Sequence, residues 1–289
     1  MKAITNRNNI LAVGVLLALG LFCLSINDLK AEPRSFRARV SAELATSGAG
    51  EITDSDLAAE ISFGREVSAH ILGRYRLDRN AKLTRYVNLV GKAVALNTNR
   101  SELDFKFAVL NTDTVNAYAA PGGYVFITRG ALDNMEDEAE LAAVLAHEIA
   151  HTTERHIVKE LGIKGSNQSA EAGIAHLIGG AGDPARVAFK QAVDKAMDIL
   201  FQQGYSRQDE ASADQSGNIF LAATGYDPSG LVRYLAKLKK IKSTELEILN
   251  RTHPPYDERI AALNLVISET GLDKISAPTV KERFNAQTK

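Results

Sequence analysis

Leu141-Ala142-Ala143-Val144-Leu145-Ala146-His147-Glu148-Ile149-Ala150-His151 is the stretch on which the reading turns. It is apolar and alanine-rich, a strong helix pattern. Asp137 stands before it as an N-cap, with Glu140 three residues on in the capping-box arrangement. Inside the helix, His147 and His151 are four residues apart. At about 100° per residue they share one face, one turn above the other. Two imidazole nitrogens so placed reach a single ion, and zinc is the expected metal because it accepts nitrogen and oxygen ligands and leaves a position for water. Glu148 sits beside that face and is expected to act as general base on the metal's water without being a ligand.

Two histidines need a third protein ligand. His156 follows His147 by nine positions, a rotation of about 900°, so on an uninterrupted helix it points away from the metal. No glycine breaks the helix at Thr152-Thr153-Glu154-Arg155, and His156 is expected to lie on the helix surface or to pack. Glu210 in Glu210-Ala211-Ser212-Ala213-Asp214 is the better candidate. Glu210 and Asp214 share a helix face, and Ala211 and Ala213 are small enough for a second helix to come close. Glu210 then completes a His-His-Glu set. Asp214 is placed to accept a hydrogen bond from the far ring nitrogen of a histidine ligand and so fix its tautomer.

Outward from these helices the chain divides unevenly. Lys2 and Arg7 precede an apolar run from Ile10 to Ile26, and Ala31 is a small residue suited to cleavage. Residues 1–31 therefore read as a signal peptide, with an uncleaved N-terminal anchor as the alternative. Cys23, the single cysteine of the 289 residues, falls in that segment, which excludes a disulfide scaffold, a cysteine zinc finger or a thiol nucleophile in the remainder. Lys and Arg total 34 against 35 Asp and Glu, so no cationic excess is available for nucleic acid as the main partner. Residues 32–54 read as a linker, 55–270 as the principal domain and 271–289 as a C-terminal tail. Helices are expected around Leu57–Ile71 and Leu83–Val94, strands at Leu103–Leu110 and Tyr124–Thr128, and a turn at Pro121-Gly122-Gly123. Residues 162–183, rich in Gly, Ala and Ser, suit a lid, a membrane-facing segment or a plain loop. His70 and His176 receive no role. Many helices and a few strands that do not alternate with them indicate an α+β fold.

Four blocks sharpen this reading: Val115-Asn116-Ala117-Tyr118-Ala119-Ala120-Pro121-Gly122-Gly123-Tyr124-Val125-Phe126-Ile127-Thr128-Arg129-Gly130, Glu140 to His151, Ser206 to Asp214, and Thr252-His253-Pro254-Pro255-Tyr256-Asp257-Glu258-Arg259-Ile260. In content and order they resemble the M48 zinc metallopeptidases, which are gluzincins, and among these the exported bacterial members. The resemblance implies a mainly helical zincin domain with a small sheet beside the active-site helix. It implies one zinc ion per chain, held by His147, His151 and Glu210, with Glu148 as the catalytic carboxylate. It places His253 and Arg259 in the family's His-Pro…Arg motif. Either residue is a candidate to stabilise the oxyanion, and His253 is alternatively a reversible ligand that keeps the enzyme latent. A surface salt bridge from Arg259 to Asp257 or Glu258 is the plainer alternative. Asn116, Ala117 and Tyr118 are expected at the cleft rim, where an extended substrate adds as a strand. The expected activity is endopeptidase cleavage of unfolded or misassembled envelope proteins in the periplasm, in soluble or membrane-anchored form. A chaperone-like assembly factor that rarely cleaves is the alternative.

Overall fold

The computed structural model describes residues 53–161 and 183–289. The N-terminal segment 1–31 with Cys23, nearly all of the linker 32–54, and the stretch 162–182 with His176 lie outside the described residues. Within them the chain has the expected α+β character, with helices packed around one small sheet.

Helix α1 (Asp54–Arg74) opens with a complete capping box between Thr53 and Asp56. Helix α2 (Ala81–Ala95) is capped by the Asn80 side chain and buries the stripe Leu83, Val87, Val90 and Val94. Strands β1 (Lys106–Leu110), β2 (Ala117–Ala120) and β3 (Tyr124–Thr128) form the sheet, in the order β1-β3-β2. β1 runs parallel and β2 antiparallel to the central β3, so β2 is an edge. The Pro121-Gly122-Gly123 turn joins β2 to β3 with both glycines at positive φ. β2 carries no β-branched residue. Its extended state comes from pairing with β3 rather than from propensity.

A short helix α3 (Arg129–Asp133) leads into α4 (Glu138–Thr153), every residue of which is buried. Then come α5 (His156–Glu160), α6 (Asp183–Asp198), a π-helical turn (Ile199–Gln203) and α7 (Arg207–Thr224). Helices α8 (Gly230–Leu238), α9 (Glu247–Thr252), α10 (Tyr256–Glu269) and α11 (Lys281–Thr288) complete the chain. The larger core surrounds α4 and joins α2, the sheet, α7 and α8. A second core lies between α1, the other face of the sheet, α6 and the π turn, around Phe63, Val67, Ile71, Tyr118 and Phe201. Among the described residues no helix is long and apolar enough to cross a membrane.

The start of α4 is held by charge. Asp137 caps the helix by accepting from the Glu140 N–H at 3.0 Å. Glu140 reaches back one residue further than a capping box, accepting from the Glu136 N–H at 2.8 Å. Arg233 and Lys237 of α8 neutralise this acidic start. Beside them the fully buried Glu138 accepts from the Tyr86 hydroxyl at 2.8 Å, the Tyr226 hydroxyl at 2.5 Å and Arg283 of α11. The stretch 271–289 is thus tied to the main domain, with Phe284 buried in the core next to Arg283.

Burial alone would raise the Glu138 carboxyl, but bonds from Arg283, Tyr226 and Tyr86 outweigh it and hold the group below its ordinary 4.5. A depressed carboxyl contributes stability that is complete above 4.5 and is lost as pH falls through the folded-state value. Glu138→Gln should therefore destabilise the protein by about 1–3 kcal/mol near neutrality. In melting curves across pH the gap to wild type should close in acid, whereas a pH-independent gap would show that the charge is not what matters.

Candidate metal centre

The site is made where α7 lies against α4. Gly217 permits the approach: a Cβ there would come within 2.9 Å of the His147 backbone nitrogen. With the helix backbones this close, Glu210 and Asp214, one turn apart on α7, face the two histidines.

The His147 and His151 Nε2 atoms are 3.1 Å apart. Glu210 Oε1 is 3.4 Å from His151 Nε2, and Oε2 is 3.8 Å from His147 Nε2. Glu210 is fully buried, and neither carboxylate oxygen has a hydrogen-bond partner among the described residues. A buried carboxylate without a partner is costly unless a cation answers it. Ligands ~2.0–2.1 Å from a tetrahedral ion would be separated by roughly 3.3–3.4 Å, and the three observed separations bracket that value. His147, His151 and Glu210 thus form a group that could hold a metal ion.

Partners behind the ligands orient them. Asp214 Oδ1 lies 2.9 Å from His147 Nδ1. Donation from that nitrogen leaves Nε2 as the free lone pair. Arg259 of α10 binds Asp214 twice, from Nε at 2.9 Å and from a terminal nitrogen at 2.6 Å. Burial would raise the Asp214 carboxyl, but the Arg259 charge and these bonds hold it far below the usual range. Arg259 is therefore no surface ion pair. Asp257 goes to Lys239 and Glu258 to Arg207 instead. A charge as buried as Arg259 is better answered by the equally buried Asp214.

His156 packs, one of its two expected places, but reaches it through a break in the helix. The helix does break, after Thr153, and Arg155 takes a left-handed conformation at φ 59° without any glycine. The reversal swings His156 back under α4. Its Nδ1 lies 2.8 Å from His151 Nδ1, and its Nε2 lies 3.1 Å from Glu154 and 3.4 Å from Asp209. Burial would raise Glu154, but bonds from His156, Ser212 and Ser216 bring it down to about 2. Tyr205 stacks on His151 with ring centroids 4.1 Å apart. These supports are not legible in the sequence because no glycine or proline ends the helix at Glu154-Arg155. The two threonines, which return their hydroxyls to carbonyls one turn back, were the weak signal of an ending.

Glu148 is buried beside the group, and burial pushes its carboxyl up to about 7. His253, at the end of α9, brings Nε2 to 3.9 Å from Glu210 Oε2 while Nδ1 lies 3.0 Å from the Thr252 hydroxyl. Burial lowers His253 to about 4, so it is neutral at ordinary pH. With His147 and Glu148 it forms a second, overlapping set of potential ligand atoms. Asn116 and Ala117 line the cavities that also contain Glu148, and Asn116 Oδ1 is buried without a partner among the described residues. Tyr118 also lines one of these cavities, the one that holds His151 and Tyr205. Its ring belongs to the second core, 4.6 Å from Phe201 and 6.2 Å from Tyr75, because alternate residues of a strand face opposite ways. His70 is exposed on α1 and meets Glu66.

The model of Peptidase family M48 matches residues 81–266, which include every residue of this site. The chain belongs to that family. It is 32% identical over 198 residues to a protein of Yersinia pestis named beta-barrel assembly-enhancing protease, covering 62% of this chain and 38% of that protein. The Escherichia coli (strain K12) protein of the same name is 30% identical over 221 residues, 70% of this chain and 42% of that one. Metalloprotease YcaL of the same organism is 26% identical over 201 residues, covering 70% of this chain and 73% of YcaL. The chain thus spans about two fifths of the length of the first two relatives.

In this M48 chain, Glu210→Gln removes a buried charge that only a cation answers. The variant should keep or raise the melting temperature of the metal-free protein and lose the rise produced by added divalent metal, worth about 2.7 kcal/mol at a hundredfold excess over Kd. A lower metal-free melting temperature with the metal response intact would mark Glu210 as merely structural.

Proposed function

We propose that the chain is a zinc-dependent endopeptidase, with one zinc ion held by His147, His151 and Glu210. The observation that carries the proposal is the orphaned Glu210 carboxylate facing two imidazole Nε2 atoms, with a second buried carboxylate, Glu148, alongside. Bound there, zinc supplies Lewis-acid polarisation of a substrate carbonyl and of water. Glu148 takes the proton from the attacking water and delivers it to the departing amine. Arg259 keeps Asp214 ionised, and Asp214 keeps His147 in the ligand tautomer. Arg259 also lies on the cavity wall with Glu148, where its charge favours an oxyanion.

The substrate main chain is proposed to lie along the β2 edge, where Asn116 Oδ1 is an unused acceptor and Ala117 leaves room. Pairing of this kind reads backbone rather than side chains, which suits unfolded or misassembled proteins. The names of the Yersinia and Escherichia relatives refer to β-barrel assembly. With the N-terminal basic and apolar segment, they support envelope proteins as substrates and the periplasm as the location. That segment would then be a cleaved signal or a membrane anchor.

Closure of the cleft favours a second, compatible reading, a latent enzyme with a chaperone-like role. Leu200 and Tyr205, around the π turn, and His253 share a narrow slot with Ala117 and Glu148. Arg251 of α9 donates to the Phe201 carbonyl at 2.8 Å, and Gly204 lies so close to the Thr252 carbonyl that a Cβ would collide with it. The π turn and the His253 loop are thus pinned together over the site. His253 is proposed to act as a reversible zinc ligand in this closed form.

Cleavage of a permanently unfolded protein tests the activity. It should stop with a chelator and return with zinc. In Glu148→Gln it should fall by about 10²–10⁴-fold with metal content unchanged. Full hydrolysis by that variant would remove Glu148 from its role, and no cleavage by wild type would favour the assembly-factor reading. His253→Ala should raise the basal rate several-fold, and an unchanged or lower rate counts against the latch.

A further inference from the structure

Behind the two imidazoles of the metal centre stand groups of different chemistry. His147 turns its Nδ1 to the Asp214 carboxylate at 2.9 Å. His151 turns its Nδ1 to the Nδ1 of His156 at 2.8 Å. The His151 and His156 side chains are each 1% exposed, so bulk water does not compete for either nitrogen. A carboxylate can only accept, which leaves His147 a single tautomer. Two imidazoles with one proton each leave the direction of the nitrogen-to-nitrogen bond open, and the far side of His156 has to settle it.

On that far side His156 Nε2 lies 3.1 Å from Glu154 Oε2 and 3.4 Å from Asp209 Oδ1. A lone pair aimed at two carboxylates would be repelled, so Nε2 carries the proton and donates. The other nitrogen of such a ring is an acceptor. His156 Nδ1 therefore accepts, the His151 Nδ1–H donates to it, and His151 Nε2 keeps its lone pair on the side of Glu210, 3.4 Å away. The carboxylates are themselves held. Glu154 ends α4 and accepts from the Ser212 hydroxyl of α7, and Asp209 stands in the first turn of α7 beside Glu210. The left-handed turn at Arg155 is what brings His156 into this gap. One chain of bonds thus links the helix of the two histidines to the helix that carries Glu210.

We propose that His156 is a positioning residue of the metal site, whose Nδ1 fixes His151 in the tautomer that binds the ion through Nε2, with Glu154 and Asp209 fixing His156 in turn. The inference rests on the ligand set proposed above. The two histidine ligands are then polarised unequally. His147 donates straight to a carboxylate, whereas His151 reaches one only through an intervening ring. Without an acceptor behind it, His151 keeps a buried N–H unpaired or takes the tautomer that sets a proton where the ion belongs, and metal affinity falls.

Two variants of the full-length protein separate positioning from packing. His156→Leu fills the space without an acceptor, and His156→Asn keeps an acceptor oxygen near the place of Nδ1. Both lose the ring nitrogen that faces Glu154 and Asp209, so the melting temperature of the metal-free protein should fall by a similar amount in the two. Zinc affinity, read by competition with a chromogenic chelator, should weaken about 10–100-fold in His156→Leu and return to within several-fold of wild type in His156→Asn. In zinc-loaded wild type with isotope-labelled histidine, NMR of the ring nitrogens should show His151 protonated at Nδ1 and His156 protonated at Nε2 alone. Equal loss of affinity in the two variants, unchanged affinity in His156→Leu, or a proton on His156 Nδ1 overturns the role and leaves the metal site standing. Absence of zinc binding by wild type overturns both. The wild-type ring spectrum decides the matter if the variants fail to fold.

Discussion

The Glu210 carboxylate has no solvent and no hydrogen-bond donor, and it faces two imidazoles whose free nitrogens are acceptors once their far sides have donated. That arrangement is unfavourable unless a cation answers it, and the group could hold one. The surrounding structure is built to hold these three side chains together. Gly217 lets α7 touch the α4 backbone, the Arg259–Asp214 pair locks one ligand's tautomer, and His156 with Glu154 and Asp209 supports the other.

A helix that carries two of these three side chains cannot drift without parting both from Glu210. The start of α4 is gripped by cations from α8 and by Arg283 of the C-terminal helix, all directed at Asp137, Glu138 and Glu140. Its end is turned abruptly by Arg155. Between these anchors the alanines at 139, 142, 143, 146 and 150 keep the helix thin, so that neighbours approach its backbone. Burial of an entire helix puts Glu148 in a low-dielectric setting and raises its carboxyl, and burial of His253 beyond α9 lowers that imidazole.

Two surfaces meet at Glu148 and differ in character. Toward α8 lies the apolar cavity. Toward the β2 edge lies the slot occupied by Tyr205 and His253. Only the second is crossed by segments pinned to each other, the π turn and the end of α9.

The sequence by itself determined the α+β class, the pair of histidines with the neighbouring glutamate, and the acidic pair Glu210 and Asp214, because helix periodicity places residues four apart on one face whatever the fold around them. It also marked the start of α4 and the glycine turn after β2, which follow from local chemistry. Tertiary structure alone decided that Arg259 would answer Asp214, that His156 would return beneath His151, that the Tyr118 ring would pack into the second core, and that Ala117–Ala120 would be a strand. Each of these depends on a partner distant in the chain or on a backbone reversal at a residue with no special propensity. Local pattern does not encode which buried charge, ring or strand will be waiting on the other side.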